Sequence, residues 1–172
     1  MKIQNLKKGT TLLEILIYFA IVGIVLLAGL SFSIQIINTG EVSKNLSELN
    51  NNLQFITEKI VNKIQIAQSV DSDLSIFNND QGALSLNVEA PADSPTVFSI
   101  TSGDLFIAEG SNPAVKLNSN LIGIDVLRFT RLTYPKSPDQ IVIDITLSNN
   151  DSDISQFNKS ISAHLSISLR IP

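Results

Sequence analysis

The sequence predicts an α+β fold: a long N-terminal helix, transmembrane in its first half and amphipathic in its second, packed on an antiparallel β-sheet. Three observations predict it. Residues Ile15 to Leu30 carry no charge and no strongly polar side chain. From Val42 to Ala67, apolar residues recur at three- and four-residue steps. After Val70 the texture changes to short segments in which apolar and polar residues alternate. The first pattern needs lipid or protein on all sides, the second is one stripe of a helix, and the third is a strand with one buried face.

The apolar segment comes first. Lys2, Lys7 and Lys8 crowd the first eight residues, and from Leu12 to Ile37 the only charge is Glu14. A helix from Ile15 to Ile37 is roughly 35 Å long, enough for a hydrocarbon core of about 30 Å. The lysines place the N-terminus on the cytoplasmic side and the later residues outside. A removable secretory signal has a shorter apolar run of about 7–15 residues, without an acid at its start.

The junction before this run carries the most specific pattern. Lys7-Lys8-Gly9-Thr10-Thr11-Leu12-Leu13-Glu14 resembles the class III signal of type IV prepilins and pseudopilins. In that family a basic leader ends in Gly, a membrane aspartyl peptidase cuts after it, and Glu stands five places on. Gly9 and Glu14 fall on those two positions. Thr11 and Leu12 also fit, and Gly23 falls where the family helix often has glycine. Thr10 departs from the common Phe or Met at the first mature position, and Ser31 stands where many major pilins have Pro. The resemblance covers residues 1–37. It implies a cytoplasmic leader (1–9) with Lys7 and Lys8 as its basic residues, cleavage between Gly9 and Thr10, and a membrane and filament-core helix (10–37). It also implies subunit assembly through Glu14, which pairs with the freed amine of a neighbouring subunit.

The helical pattern continues as an amphipathic segment (38–70). Val42, Leu46, Leu49, Leu53, Ile56, Ile60, Ile64 and Ala67 form one stripe, with Glu41, Lys44, Asn45, Glu48, Asn51, Asn52, Glu58, Lys59 and Lys63 on the other faces. Gly40 is a soft point at the membrane surface, since glycine costs about 1 kcal/mol against Ala in a helix. A helix lying on the sheet that follows is preferred to a coiled-coil stalk, because that sheet has an apolar face to cover.

The sheet domain spans 71–172. Leu84, Leu86 and Val88 share a face; Val97–Thr101 and Asp104–Ala108 flank a Ser102-Gly103 turn. Ile141, Ile143, Ile145 and Leu147 share a face. So do Ile161, Ala163, Leu165, Ile167, Leu169 and Ile171, with Ser160, Ser162, His164, Ser166, Ser168 and Arg170 opposite. In Ile122–Leu132 the phase shifts between Val126 and Leu127, which predicts a bulge there. The order of these last segments, ending Ser168-Leu169-Arg170, resembles the tail of J-type minor pseudopilins and PilW-like minor pilins. That implies a minor subunit.

Composition excludes much else. The chain has 172 residues, a formal charge of -4 and no cysteine, so thiolate metal sites, disulfides and cysteine nucleophiles are ruled out. DNA binding through a broad basic surface is not indicated. His164 is the single histidine, on a Ser-lined strand face, and reads as a surface residue rather than part of a Ser-His-Asp site. Asp71, Asp73, Asp151 and Asp153 read as solvated loop acids, not an EF-hand calcium loop. No catalytic residue, metal site or cofactor is expected. The expected partners are those the resemblance implies: a prepilin peptidase, other pilins or pseudopilins in a filament, and an inner-membrane assembly platform. The expected location is a single-pass cytoplasmic-membrane protein, later in a cell-surface or periplasmic filament. The rival expectation is a single-pass membrane-anchored extracytoplasmic binding or adhesion protein.

Overall fold

The computed structural model describes residues 11–135, 137–149 and 159–169. It is α+β. One helix, α1 (Leu12–Ile66), is followed by β1 (Ala67–Ile76), β2 (Ala83–Val88), β3 (Thr96–Thr101), β4 (Asp104–Glu109), β5 (Val115–Lys116), β6 (Ile122–Leu132), β7 (Gln140–Asn149) and β8 (Ser160–Ser168). The chain divides into two compact units, Met1–Val42 and Ser43–Pro172. In the second unit the strands form two antiparallel sheets, not the single sheet expected. One has five strands in the order β1-β2-β3-β4-β5, and the other has three in the order β6-β7-β8.

The core explains the arrangement. Leu49, Ile56, Ile60 and Ile64 of α1 are fully buried and join Leu84, Leu86, Phe98 and Leu105 of the first sheet to Leu127, Phe129, Ile141 and Ile143 of the second. The Leu49 to Ile64 part of the stripe read from the sequence is therefore the face that both sheets share, and that part of the helix lies on the sheets.

The helix ends earlier than expected. The stripe extends to Ala67 and the expected amphipathic segment to residue 70, but α1 stops at Ile66, and Ala67 and Val70 lie in β1. Ala67 pairs with Val88 and Val70 with Leu86, and the register breaks between Ala67 and Ser69. That irregularity lets two residues three apart share one buried face, which mimics helical spacing. Pairing with β2 overrides the local pattern.

Two turns and a bulge follow their residues closely. Ser102 and Gly103 both have positive φ, 55° and 81°, as a two-residue hairpin turn requires. The break in β6 lies between Ile124 and Val126, one step before the position expected. Asp125 is the extra residue and is exposed, so Ile122 and Ile124 on one side and Leu127 and Phe129 on the other all reach the core. At Gly110 (φ 58°) a Cβ would sit 2.0 Å from the Ala92 carbonyl oxygen, so only glycine fits.

The sheets are stitched by the segment between β1 and β2. Asn78 N–H donates to Phe129 O (2.9 Å), Gly82 N–H to Leu127 O (2.8 Å) and Leu127 N–H to Asp80 O (2.8 Å). Arg128 pairs with Asp80 across the same seam. The outer edge of β6 is thereby occupied, with Ile124 N–H donating to Gly103 O (2.8 Å) further along.

Polar clips fix the helix to the first sheet. Ser119 N–H donates to Asn52 Oδ1 (2.9 Å) and Ser119 Oγ–H to Glu48 Oε1 (3.2 Å). Lys63, expected on a solvent face, is largely covered: it binds Glu109 at 2.6 Å and approaches Asp93 at 3.8 Å, with its side chain 14% exposed. Asn118 is buried. Its Oδ1 accepts from Leu105 N–H, and its Nδ2 donates to Ile122 O and to Asp104. The Lys116 ammonium, hydrogen-bonded to Asp104, holds that carboxyl below the usual carboxylate range, and Asn118 adds to the effect. The hydrogen bond from Lys63 lowers Glu109 in the same way.

Two outcomes follow from this packing. Ile60→Ala removes a fully buried side chain where helix and sheets meet, and is expected to destabilise the domain by about 2–5 kcal/mol in urea unfolding. Asp104 and Glu109 have folded pKa values below their unfolded ones. Their contribution to stability is thus present above the ordinary carboxylate pKa and is lost as pH falls through the lowered values. Stability measured from about pH 5 downward is expected to fall, and Lys63→Met with Lys116→Met is expected to flatten that fall.

Candidate functional site

The described part of the first unit is helix alone. Thr11 caps it: Glu14 N–H donates to Thr11 Oγ1 (3.3 Å) and Ile15 N–H to Thr11 O (3.2 Å). Nearly all its large apolar side chains are exposed, from Leu12 at 82% through Phe19 at 75% to Ile37 at 64%. None of its most apolar 18-residue stretch is buried within the protein. α1 is the one helix among the described residues long and apolar enough to cross a membrane.

The polar side chains in this stretch turn inward on their own backbone. Ser31 Oγ–H donates to Leu27 O (3.0 Å), Ser33 Oγ–H to Gly29 O (2.9 Å) and Thr39 Oγ1–H to Gln35 O (2.8 Å). A hydroxyl satisfied in this way costs little in an apolar surrounding. Helix continues through Gly23, Gly29 and Gly40, and a Cβ at any of the three would meet nothing within 4 Å. No contact among the described residues requires glycine there.

Glu14 is the exception. It is the single ionisable acid or base between Leu12 and Ile37 besides the phenol of Tyr18. Tyr18 Oη–H donates to Glu14 Oε1 at 2.9 Å, and among the described residues no other group hydrogen-bonds that carboxylate. The spacing Thr11…Glu14 fits a capping box, yet the carboxylate turns toward the following turn of helix and not back to Thr11 N–H. The sequence reading did not single out Tyr18; its signal was the four-residue spacing, which puts both side chains on one face. Lys7, Lys8, Gly9 and Thr10 lie outside the described residues.

The other candidate chemistry does not converge. His164 Nδ1 lies 2.5 Å from Asp144 Oδ1 on the exposed face of β7 and β8. The nearby Ser162 hydroxyl bonds to Thr146 Oγ1 (2.9 Å) instead, and among the described residues no hydroxyl hydrogen-bonds His164. Asp71 Oδ1 accepts from the N–H groups of Asp73 and Leu74, a local turn. No group of three His, Asp or Glu side chains gathers among the described residues. Asp151 and Asp153 lie outside them.

Compared with protein families, curated proteins and solved structures, the chain finds no match. The site therefore stands on its own geometry: a helix with the length and composition of a single membrane span, with one carboxylate near its start.

A membrane span of this kind has a direct test. The full chain is expected to stay with membranes through alkaline carbonate extraction. Residues 43–172, which keep every core residue from Leu49 to Leu169, are expected to be soluble and folded by circular dichroism. Carbonate release of the full chain counts against a span.

Proposed function

We propose that this chain is a prepilin: a structural, type IV pilin-like filament subunit that is cut after Gly9 and assembled through its N-terminal helix. The observation that carries the reading is Glu14, a lone carboxylate near the start of a helix whose apolar side chains are exposed on every face. A carboxylate in such a place is costly. Insertion scales give about 2.5–3.5 kcal/mol for a central Asp, and less near the end of a span. The helix N-terminus favours a negative charge, and Tyr18 satisfies one oxygen. A positive partner accounts for the rest. Cleavage after Gly9 creates one, the α-amine of Thr10, with a reference pKa of about 7.7–8.0.

In the filament the amine of one subunit faces Glu14 of the next, and neutralising both charges together lets the apolar helices pack. Lys7 and Lys8 hold the leader on the cytoplasmic side until the peptidase removes it. The partners in this reading are that peptidase, neighbouring pilins or pseudopilins, and an inner-membrane assembly platform. The order of β6, β7 and β8, with its similarity to the tails of minor subunits, favours a minor position in the filament.

Mass spectrometry of the protein from native membranes, together with Glu14→Ala, tests the proposal. A mature chain beginning at Thr10, and a variant that inserts but enters filaments at least about tenfold less, are expected. A mature chain beginning at Met1, with the variant unimpaired, would replace this reading with the anchored binding protein.

A further inference from the structure

Sheet edges expose unpaired N–H and C=O groups, and proteins blunt them with charges, irregular register, short strands or covering segments. Among the described residues, three of the four edges are blunted. β1 carries Asp71 and Asp73 and loses register twice against β2. β5 has two residues. β6 is covered by the 78–82 segment. β8 has none of these devices among the described residues: nine residues without Pro, Lys or Arg, in unbroken register with β7.

The direction of its free groups can be worked out. Asn149 N–H donates to Lys159 O, and Leu169 N–H to Asp139 O. Residues 159 and 169 therefore turn their main chain toward β7. By alternation, so do Ile161, Ala163, Leu165 and Ile167, and Ser160, Ser162, His164, Ser166 and Ser168 turn theirs to the open edge.

The sequence of this edge is close to a palindrome: Ser160-Ile161-Ser162-Ala163-His164-Leu165-Ser166-Ile167-Ser168. We propose that β8 is a self-pairing edge, and that its occupant is the β8 strand of a second copy of this chain, antiparallel, with the two-fold axis at His164. In that register His164 faces His164 of the second copy, Ser162 faces Ser166 and Ser160 faces Ser168. These are the edge-directed residues, so each pair exchanges both main-chain hydrogen bonds. On the core side Ile161 meets Ile167 and small Ala163 meets larger Leu165. Ile161, Ala163 and Leu165 are only partly buried in one copy, and the second copy continues the apolar face beyond them. Ala163 also borders an open groove lined by Leu53, Thr57 and Val61 of α1.

The axis stands perpendicular to the sheet, so the α1 segments lying on the two sheets run in opposite directions. The pair brings together the folded second units of two copies. It does not rest on the filament reading and is tested apart from it.

Residues 43–172 serve for the test, since they hold the whole core. The chain has no cysteine, so single replacements report position cleanly. Sedimentation is expected to show a concentration-dependent dimer. With a short thiol-reactive cross-linker, His164→Cys is expected to join to itself. Ser160→Cys and Ser168→Cys are each expected to fail alone and to join when mixed, because like positions lie roughly 27 Å apart in the pair. Ser162→Pro removes an edge-directed N–H without touching the bonds to β7, so it is expected to fold and to weaken the dimer at least about tenfold. A monomer at all concentrations overturns the proposal. So does Ser160→Cys that joins to itself as readily as the mixture, or His164→Cys cross-linking that Ser162→Pro leaves unchanged.

Discussion

Two small sheets share one cover, the stripe Leu49, Ile56, Ile60 and Ile64 on α1, and the rest of the folded unit depends on it. A sheet with one apolar face needs a second layer. Here neither sheet is wide enough to fold over and supply its own. The helix serves both, so its placement has to satisfy Phe98 and Leu105 on one side and Phe129 and Ile143 on the other. The clips at Glu48, Asn52 and Lys63 spread over about four turns of the same helix and hold that placement. A shift of the helix by one turn would break these clips and the packing together.

The same helix changes character along its length. Up to Ile37 its apolar residues lie on all faces and are left exposed among the described residues. From Leu49 onward one stripe, Leu49, Ile56, Ile60 and Ile64, is fully buried, while Phe55 and Ile66 stay exposed. The cost of exposing the first part to water is large, since each buried aliphatic side chain is worth about 1.5–3 kcal/mol. Lipid or another apolar protein surface removes that cost, and water does not. The internal hydrogen bonds of Ser31, Ser33 and Thr39 point the same way, because side chains already satisfied within the helix suit a surrounding without water.

Much of this was legible in the residues, for reasons that differ from place to place. The helix stripe and the alternation in β7 and β8 could be read because each has one buried face, so periodicity records burial directly. Ser102-Gly103 could be read because positive φ at two successive positions restricts the residues allowed. The division into two sheets could not, since it depends on the 78–82 segment taking the edge of β6, and those hydrogen bonds use main chain that any sequence carries. Ala67 and Val70 misled because an irregular strand register reproduces a three-residue step. Lys63 misled because its charge is met by Glu109, a residue far away in the chain. Tyr18 was passed over because a phenol in an apolar helix looks like one more large side chain until its hydroxyl is placed beside Glu14.

That last pair sets how the apolar helix handles its one charge. Tyr18 lies one turn after Glu14 and donates to a single carboxylate oxygen, which lowers the cost of the charge without neutralising it. A lysine at position 18 would neutralise it, and the carboxylate would then have little reason to seek anything outside its own helix. A leucine there would leave the charge with no partner in the described helix. The phenol lies between these cases: it donates to one carboxylate oxygen and brings no positive charge. In the filament proposed above, such a residue leaves the charge open to a counterion from another molecule.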